Sequence, residues 1–220
     1  MIKIGNWYIN DNKHPGVIER QLLSENFHCA DPLLKAIEFC DNVENAIDVG
    51  CWIGDSTWVL SKHFKNIYSF EANTDTYNCC VKNCFENNIN NAIIYNVGLS
   101  NEIGYKDFYH SKSGYAGFVS TKDDQLDKFH KTQILTNTLD YYNFTNIDFL
   151  KIDIDSHESY FLLGAKKFFE NNNPVVMIES KPRVSDRQPD EIPNAKEILN
   201  NYGYQPVAKV AKADFIYKRG

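Results

Sequence analysis

The sequence predicts one α/β domain built on a mostly parallel seven-stranded sheet, with helices on both faces and an antiparallel hairpin at the C-terminal end. Short apolar runs alternate with segments whose apolar residues have helical spacing, which is typical of βαβ units. The first run ends in an acidic residue followed by two glycines, as in strand-to-helix loops that bind nucleotides. Two β-like runs separated only by Ala211 and Lys212 close the chain.

The elements follow in order from the N-terminus. Residues 1–42 predict an N-terminal extension with two short helices, at 17–23 and 32–39, ahead of the main domain, 43–220. The strands are predicted at 45–49, 67–70, 92–97, 147–154, 175–179, 205–210 and 213–217, and the helices at 56–63, 74–86, 158–170 and 194–201. Because βαβ crossovers are right-handed, the loops after the parallel strands share one rim, where ligands bind.

The alternation breaks between residues 98 and 138. Short β-like pieces at 105–109 and 133–138 flank a segment rich in Gly, Ser and Lys. This insertion is long for a passive connection, so it is a candidate substrate loop. A plain extension of the sheet explains the pattern equally well.

Length and composition limit the functional class. The chain has 220 residues and a formal charge of −6, which suits one domain and disfavours nucleic acid as a partner. No window approaches the roughly 20 apolar residues that span a bilayer, and the N-terminus lacks a signal-peptide pattern. The six cysteines have no paired Cys-x-x-Cys spacing, so free thiols in a reducing compartment are expected. We expect a soluble, cytoplasmic protein.

The first glycine-containing loop indicates the kind of ligand. It runs from Asp48 through Gly50 to Gly54, and Trp52 stands where a dinucleotide fingerprint needs a bare glycine. A pyrophosphate would meet the indole there. The loop suits a ligand that has a ribose and a base but no phosphate, and S-adenosylmethionine is the commonest such ligand on this architecture. The terminal hairpin, typical of methyltransferase sheets, points the same way. An ordinary strand, turn and helix without a ligand is the alternative.

A second acidic residue follows the next strand. Glu71 lies 23 residues after Asp48, close to the interval of about 20 residues at which a carboxylate reaches ribose hydroxyls. One carboxylate accepts hydrogen bonds from both hydroxyls, and such charge-assisted bonds are stronger than neutral ones. Glu71 is therefore the predicted ribose ligand.

The segment 151–158 holds five ionisable side chains at the mouth of a central strand. Methyl transfer is an in-line displacement, so an enzyme must hold the acceptor oxygen against the methyl group and take its proton. The candidates are Asp153 beside the reacting hydroxyl, His157 and Glu158 for proton acceptance or substrate binding, and Lys151 on the same strand face as Asp153. Helix capping by Asp155 and interaction of Glu158 with the helix dipole are the alternative explanations.

The residues at this rim suit two further kinds of binding site, one for a metal ion and one for an anionic group of the substrate. Asp153, Asp155, Glu158 and Glu179 are hard oxygen ligands that suit Mg²⁺, but a metal is the less favoured hypothesis and no residue is assigned to one. Arg183 or Arg187 would bind an acidic sugar or a phosphate on the substrate, or be merely exposed loop charges.

Taken in order, the motifs of the chain resemble the FkbM-type S-adenosylmethionine-dependent methyltransferases. The matching positions are 47–50, 53–54, 57, 69–73, 83, 87, 96–100, 138–140, 148–155, 158, 163–165 and 174–179. The resemblance implies a Rossmann-like class I methyltransferase fold. It also implies methylation of hydroxyl oxygens on sugars, glycans or natural products.

The resemblance assigns the cofactor-binding positions. It places Asp48 and Gly50 at the methionine end of the cofactor, in the loop that also contains Trp52 and Gly54. Glu71 is placed at the ribose and Asn73 at the edge of the ribose or the adenine. Gly98 and Leu99 are placed at the adenine. The chain departs from the family twice. Cys51-Trp52 replaces the usual Ala-Asn, and Ile154-Asp155-Ser156-His157 stands where Val-Glu-Gly usually follows Lys-Ile-Asp. The second departure adjoins the reaction centre and leaves the substrate class open.

The sequence thus predicts an S-adenosylmethionine-dependent O-methyltransferase that acts on a small-molecule or glycan acceptor, most plausibly a saccharide. One alternative is a catalytically silent binding domain, which the altered 154–157 segment keeps open. A second is an NAD-dependent oxidoreductase, which Trp52 and the terminal hairpin disfavour. Whether the chain forms a homodimer is left open.

Overall fold

The computed structural model of the chain describes residues 1–10, 17–111, 116–117, 129–180 and 192–220. Its strands are β1 (Ile2–Ile4), β2 (Trp7–Ile9), β3 (Asn45–Val49), β4 (Asn66–Phe70), β5 (Ala92–Tyr95), β6 (Gly98–Leu99), β7 (Gly104–Ser111), β8 (Ala116–Gly117), β9 (Phe129–Asn137), β10 (Phe149–Ile152), β11 (Val175–Glu179), β12 (Tyr204–Lys209) and β13 (Asp214–Arg219). Its helices are α1 (Val17–Ser24), α2 (Ala30–Ile37), α3 (Asp55–Ser61), α4 (Thr74–Glu86), α5 (Glu158–Leu163), α6 (Lys166–Asn171) and α7 (Ala195–Asn201), and a 3₁₀ helix covers Leu139–Tyr142.

The central sheet has seven strands in the order β12-β13-β11-β10-β3-β4-β5. The five strands from β11 to β5 are parallel, whereas β13 is antiparallel to both β11 and β12. This arrangement confirms the predicted parallel sheet with an antiparallel hairpin at its end. The carboxyl ends of β3, β4 and β10 consequently lie side by side, which is where the chain places its polar loops.

Helices cover both faces of the sheet, as predicted. Ile47 and Leu150 belong to a buried cluster with residues of α5, α6 and α7, whereas Ala46 and Phe149 belong to a cluster with residues of α2 and α3. Successive residues of β3 and β10 thus alternate between the two layers. Both strands are covered on each side, so they are apolar apart from Asn45, Asp48 and Lys151.

The predicted helix 158–170 is two helices, α5 and α6. At the interruption, the carbonyl oxygen of Gly164 accepts a hydrogen bond from the amide of Asp140 at 3.1 Å. The position requires glycine, because a Cβ atom there would lie 2.0 Å from the carbonyl oxygen of Ser100. The carboxylate of Asp140 then accepts hydrogen bonds from the amides of Lys167 and Phe168, at 3.1 and 2.8 Å, at the start of α6. A distant loop therefore sets the break, and helical periodicity does not record it.

The N-terminal extension contains a hairpin that the sequence analysis did not predict. Strands β1 and β2 pair in antiparallel register from Ile2↔Ile9 to Ile4↔Trp7. Both predicted helices of the extension are present as α1 and α2. Strands of three residues are too short for alternation of apolar and polar residues to identify them.

The 98–138 insertion forms a separate sheet, β6-β9-β7-β8. Its main element is the antiparallel pair of β7 and β9, which runs from Gly104↔Thr136 to Ser111↔Phe129. The part of the insertion at 112–115 and 118–128 lies outside the described residues. No helix among the described segments is long and apolar enough to cross a membrane, and all six cysteines are free thiols.

Gly50 provides a test of the tight junction between β3 and the segment after β10. It has φ +80°, and a Cβ atom there would lie 1.9 Å from the carbonyl oxygen of Asp153, whereas a Cβ on Gly5, at φ +59°, would meet nothing closer than 3.5 Å. Gly5→Ala should therefore lower the free energy of unfolding only by the left-handed backbone penalty, about 1–2 kcal/mol. Gly50→Ala should lower it by about 1–3 kcal/mol more because of overpacking. Urea unfolding of both variants measures the difference, and equal losses would contradict the close contact.

Candidate active site

The glycine loop, residues 50–54, leaves β3 and wraps against the end of β4. The amides of Gly50 and Cys51 both donate to the carbonyl oxygen of Phe70, at 3.0 and 3.1 Å. The amide of Gly54 donates to the carbonyl oxygen of Cys51 at 2.8 Å. Gly50, Trp52 and Gly54 all have positive φ. Two of these positions carry glycine, which adopts this conformation without strain, and the third carries a tryptophan.

Asp48 anchors the glycine loop from below. Its side chain is fully buried, and Oδ2 accepts hydrogen bonds from Ser56 Oγ at 2.7 Å and Thr57 Oγ1 at 2.9 Å. Thr57 Oγ1 also lies 2.9 Å from Ser69 Oγ on β4. The Asp48 carboxylate therefore ties β3 to the first turn of α3 and, through Thr57, to the neighbouring strand.

Lys151 is the cation that balances Asp48. It lies opposite Asp48 in the β3–β10 register, with Nζ 3.1 Å from Asp48 Oδ1 and 3.9 Å from Asp153 Oδ2. Nζ also donates to the carbonyl oxygen of Gly50 at 3.1 Å. Burial alone would lower the pKa of Lys151, but the adjacent carboxylates outweigh burial and raise it. The ammonium stays charged and holds the loop to β10.

Glu71 lies at the mouth of the glycine loop. Its carboxylate accepts hydrogen bonds from the amide of Trp52 at 3.1 Å and from the amide of Asn73 at 2.8 Å. The side-chain amide of Asn96 fixes the same turn by donating to the backbone oxygen of Glu71 at 2.9 Å. Burial raises the pKa of Glu71 to about 7. The residue predicted to bind the ribose is thus bonded directly to the glycine loop.

The remaining predicted cofactor positions surround this mouth. Asn73 caps α4, since its Oδ1 accepts from the amides of Asp75 and Thr76 at 2.9 and 3.3 Å. A Cβ atom on Gly98 would lie 3.5 Å from the Cβ of Ala72, so β6 passes close to the turn after β4. Leu99 is buried in the main core.

The indole of Trp52 packs away from the sheet. It is partly buried against a cluster that includes Trp7, Ile9, Leu22 and Phe27 from the N-terminal extension. The extension therefore covers one side of the glycine loop.

The reaction turn, residues 153–158, follows β10 and contacts the glycine loop at Gly50. Asp155 and Ser156 both have positive φ, +46° and +92°, a conformation that strains serine in particular. Glu158 stabilises the turn, because its Oε1 accepts hydrogen bonds from the amides of Ile154 and Ser156 at 3.4 and 3.2 Å. Burial raises the pKa of Glu158 to about 7. The side chain of Asp153 remains 43% exposed at the rim.

His157 is buried, only 5% exposed. Its Nε2 lies 2.9 Å from Ser100 Oγ, and its ring stacks on Tyr160 with centroids 4.7 Å apart. Burial and the charge of Lys106 lower its pKa to about 3. His157 is therefore neutral at physiological pH and joins the reaction turn to the segment after β6.

The structure thus brings the glycine loop, Glu71 and Asp153 together at one rim, whereas Asp48, Lys151 and Leu99 are buried in the interior. Sequence reasoning did not assign the short polar residues that support them, namely Ser56, Thr57, Ser69, Asn83, Asn96 and Ser100. For Ser56 and Thr57 the sequence did carry a signal, because two small hydroxyl residues directly follow the glycine loop. Among the described residues, no group of three or more His, Cys, Asp or Glu side chains is arranged to hold a metal ion. Arg183 and Arg187 lie outside the described residues.

The sheet order, the glycine loop after β3 and the acidic residue after β4 define a class I S-adenosylmethionine-dependent methyltransferase fold. One solved structure with a similar fold is magnesium protoporphyrin IX methyltransferase from Synechocystis PCC 6803 with bound S-adenosylmethionine (TM-score 0.54, 9% identity, covering 96% of this chain and 87% of that chain). Another is precorrin 8w decarboxylase from Methanobacterium thermoautotrophicum (TM-score 0.54, 13% identity, covering 100% of both chains). Similarity at these identities concerns the fold alone.

A third similar structure is a methyltransferase FkbM from Methylobacillus flagellatus KT, with TM-score 0.53 and 17% identity over 80% of this chain. The chain spans 43% of that structure's length. No curated protein sequence matches. The methyltransferase FkbM domain matches residues 48–206, and the chain therefore belongs to the FkbM methyltransferase family, which confirms the resemblance found in its motifs.

Ser156 tests the strain in the reaction turn. At φ +92° a glycine is unstrained, so Ser156→Gly should raise the free energy of unfolding by about 1 kcal/mol. This corresponds to a rise in Tm of about 2–4 °C for a chain of this size. The matched control is Ser61→Gly at the end of α3, which removes the hydrogen bond from Ser61 Oγ to the carbonyl oxygen of Trp58 at 2.8 Å and should lower stability by about 0.5–1.5 kcal/mol. Calorimetric unfolding measures both, and a loss of stability in Ser156→Gly would show that the turn is not strained.

Proposed function

We propose that this chain transfers a methyl group from S-adenosylmethionine to a hydroxyl oxygen of a small-molecule or glycan acceptor, most plausibly a saccharide. The single observation that carries the proposal is the contact between Gly50 and the backbone of Asp153, where a Cβ atom would lie 1.9 Å from the carbonyl oxygen. It joins a loop suited to the methyl donor to a turn that carries acidic side chains. A donor and an acceptor bound on either side of this contact would be neighbours.

The residues at the rim fit S-adenosylmethionine. Glu71 would accept hydrogen bonds from the ribose hydroxyls, and the backbone of the glycine loop, Gly98 and Leu99 would flank the nucleoside. Asn73 contributes its amide to the placement of Glu71. When bound, the cofactor supplies an electrophilic methyl group on a sulfonium.

Asp48 and Lys151 have supporting roles in this proposal. Both are almost completely buried, and their polar atoms bind protein groups. We therefore assign them to the support of the glycine loop, with no direct contact to the cofactor or the acceptor.

The reaction turn provides the acceptor side. Asp153, half-exposed at the rim, orients the acceptor hydroxyl, and Glu158 takes up its proton, since a base with a pKa of about 7 is matched to neutral pH. His157 is neutral and bonded to Ser100, so we assign it to the positioning of the turn. The family and this pair of carboxylates favour a catalyst over a silent binding domain.

Glu71 gives the cofactor assignment a pH signature. The ribose hydroxyls donate to the carboxylate, so binding requires its ionised form. With a pKa of about 7, the ionised fraction rises from about one tenth at pH 6 to about nine tenths at pH 8. Calorimetry should therefore find that S-adenosylhomocysteine binds about tenfold more tightly at pH 8 than at pH 6. Glu71→Gln should bind at least about tenfold more weakly, from the lost charged hydrogen bonds, and lose this pH dependence. If the variant keeps the parental affinity and pH profile, the ribose assignment is wrong.

Turnover tests the reaction itself. The protein is incubated with methyl-labelled S-adenosylmethionine and a panel of sugars and oligosaccharides, and the products are examined by mass spectrometry for O-methyl groups. Asp153→Asn and Glu158→Gln should lower kcat by at least about 100-fold while S-adenosylhomocysteine affinity changes less than about threefold.

The matched control is Asp155→Asn, which removes an exposed carboxylate from the same turn and keeps a side chain that tolerates positive φ. It should retain activity. Binding of NAD in place of the adenosyl ligands, or a product methylated on nitrogen, would contradict the proposed function.

A further inference from the structure

Asn83 connects the N-terminal hairpin to the glycine loop. It lies on α4 and is fully buried. Its Oδ1 accepts a hydrogen bond from the amide of Tyr8 at 2.6 Å, and its Nδ2 donates to the carbonyl oxygens of Tyr8 at 2.9 Å and Ile53 at 2.8 Å. Both N–H groups of the side chain and its oxygen are therefore used.

The two bonds to Tyr8 dock the hairpin onto α4. The side-chain amide pairs with the N–H and the C=O of one residue of β2, as a neighbouring strand would at a sheet edge. The remaining bond reaches the backbone of the glycine loop at Ile53. One side chain thus bridges segments that lie 75 and 30 residues away along the chain.

Apolar packing reinforces this bridge. Ile53 is buried in the cluster formed by Trp7, Ile9 and Leu22, and the partly buried Trp52 packs against the same cluster. Trp52 has φ +49°, and its amide donates to Glu71. The conformation of the loop at the predicted ribose ligand therefore depends on contacts with the N-terminal extension.

We propose that Asn83 is a positioning residue for cofactor binding. It fastens the N-terminal hairpin to the carbonyl oxygen of Ile53 and so holds the glycine loop in the form that presents the Trp52 amide to Glu71. The hairpin is then part of the donor site although it lies outside the methyltransferase domain. This inference rests on the proposed binding of S-adenosylmethionine at the loop.

A pair of variants separates the loop contact from the hairpin contact. Asn83→Leu keeps the volume of the side chain but removes all three hydrogen bonds, so the dissociation constant of S-adenosylhomocysteine should rise at least tenfold. The matched control is Asn87→Leu at the C-cap of α4. Nδ2 of Asn87 donates to the backbone oxygens of Asn6 at 3.3 Å and Asn83 at 2.9 Å and to no atom of the loop, so this variant leaves the side-chain bonds of Asn83 intact. Its dissociation constant should stay within twofold of the parent.

Hydrogen exchange without ligand gives a second readout. The amide of Gly54, bonded to Cys51, should exchange faster in Asn83→Leu and at the parental rate in Asn87→Leu. A merely structural role would lower the Tm of Asn83→Leu but leave both the affinity of the folded protein and this local exchange unchanged. That result would overturn the inference.

The unaltered protein provides a test that does not depend on the folding of a variant. Coupling between two sites is reciprocal, so saturating S-adenosylhomocysteine should slow exchange of the Tyr8 amide, which donates to Asn83. Unchanged exchange at Tyr8 in the ligand-bound protein would overturn the coupling. If the parent fails to bind the ligand while exchange at Gly54 still depends on Asn83, the cofactor proposal fails and the bridge between hairpin and loop stands.

Discussion

The rest of the site depends on the buried ion pair of Asp48 and Lys151 at the centre of the sheet. The two side chains face the same layer from adjacent parallel strands, 3.1 Å apart. Removing either partner would leave an uncompensated buried charge, which typically costs 3–5 kcal/mol. Ser56 and Thr57 donate to Oδ2 of Asp48, and Lys151 donates to the carbonyl oxygen of Gly50. Within the part of the chain that the structure describes, Oδ1 of Asp48 accepts no hydrogen bond and relies on the charge of Lys151, 3.1 Å away. One interaction thereby fixes the start of α3, the glycine loop and the end of β10.

Among the described residues around this pair, negative groups outnumber positive ones. Lys151 neutralises Asp48, while Glu71, Asp153 and Glu158 add carboxylates on both sides of the glycine loop. Burial raises the pKa of both glutamates to about 7, so their ionisation responds to what binds next to them. A cationic ligand favours the ionised forms, and these in turn bind it more strongly. The electrostatics of the described part of the rim thus match a sulfonium-bearing methyl donor better than a polyphosphate.

Apart from the short N-terminal hairpin, the sequence predicted elements that are determined locally and missed features set by distant partners. Strands 45–49 and 175–179 and helix 74–86 have the predicted bounds, because apolar periodicity and the Asn73 cap suffice to specify them. The break at Gly164 coincides with contacts to Ser100 and Asp140, which no local pattern encodes.

The same distinction holds within the site. Glu71 was predicted as a ribose ligand from its interval of 23 residues after Asp48, and this interval is a property of βαβ geometry. The buried environment of His157 arises from Ser100, 57 residues away, and the bridging role of Asn83 arises from a hairpin 75 residues away. Spacing therefore identifies the residues that parallel strands carry to the rim, whereas their protonation and support depend on packing between layers.

The departure at residues 154–157 leaves a strained turn that buried side chains hold in place. Ser156 has φ +92° where the family usually has glycine, and such strain costs about 1–3 kcal/mol. Glu158 and His157 supply buried hydrogen bonds to the turn, worth about 0.5–1.5 kcal/mol each, more where a charge takes part, which is enough to offset it. The hydrogen bonds of Glu158 and His157 thus hold the turn in place despite the strain at Ser156, and the turn in turn fixes the position of Asp153 next to Gly50.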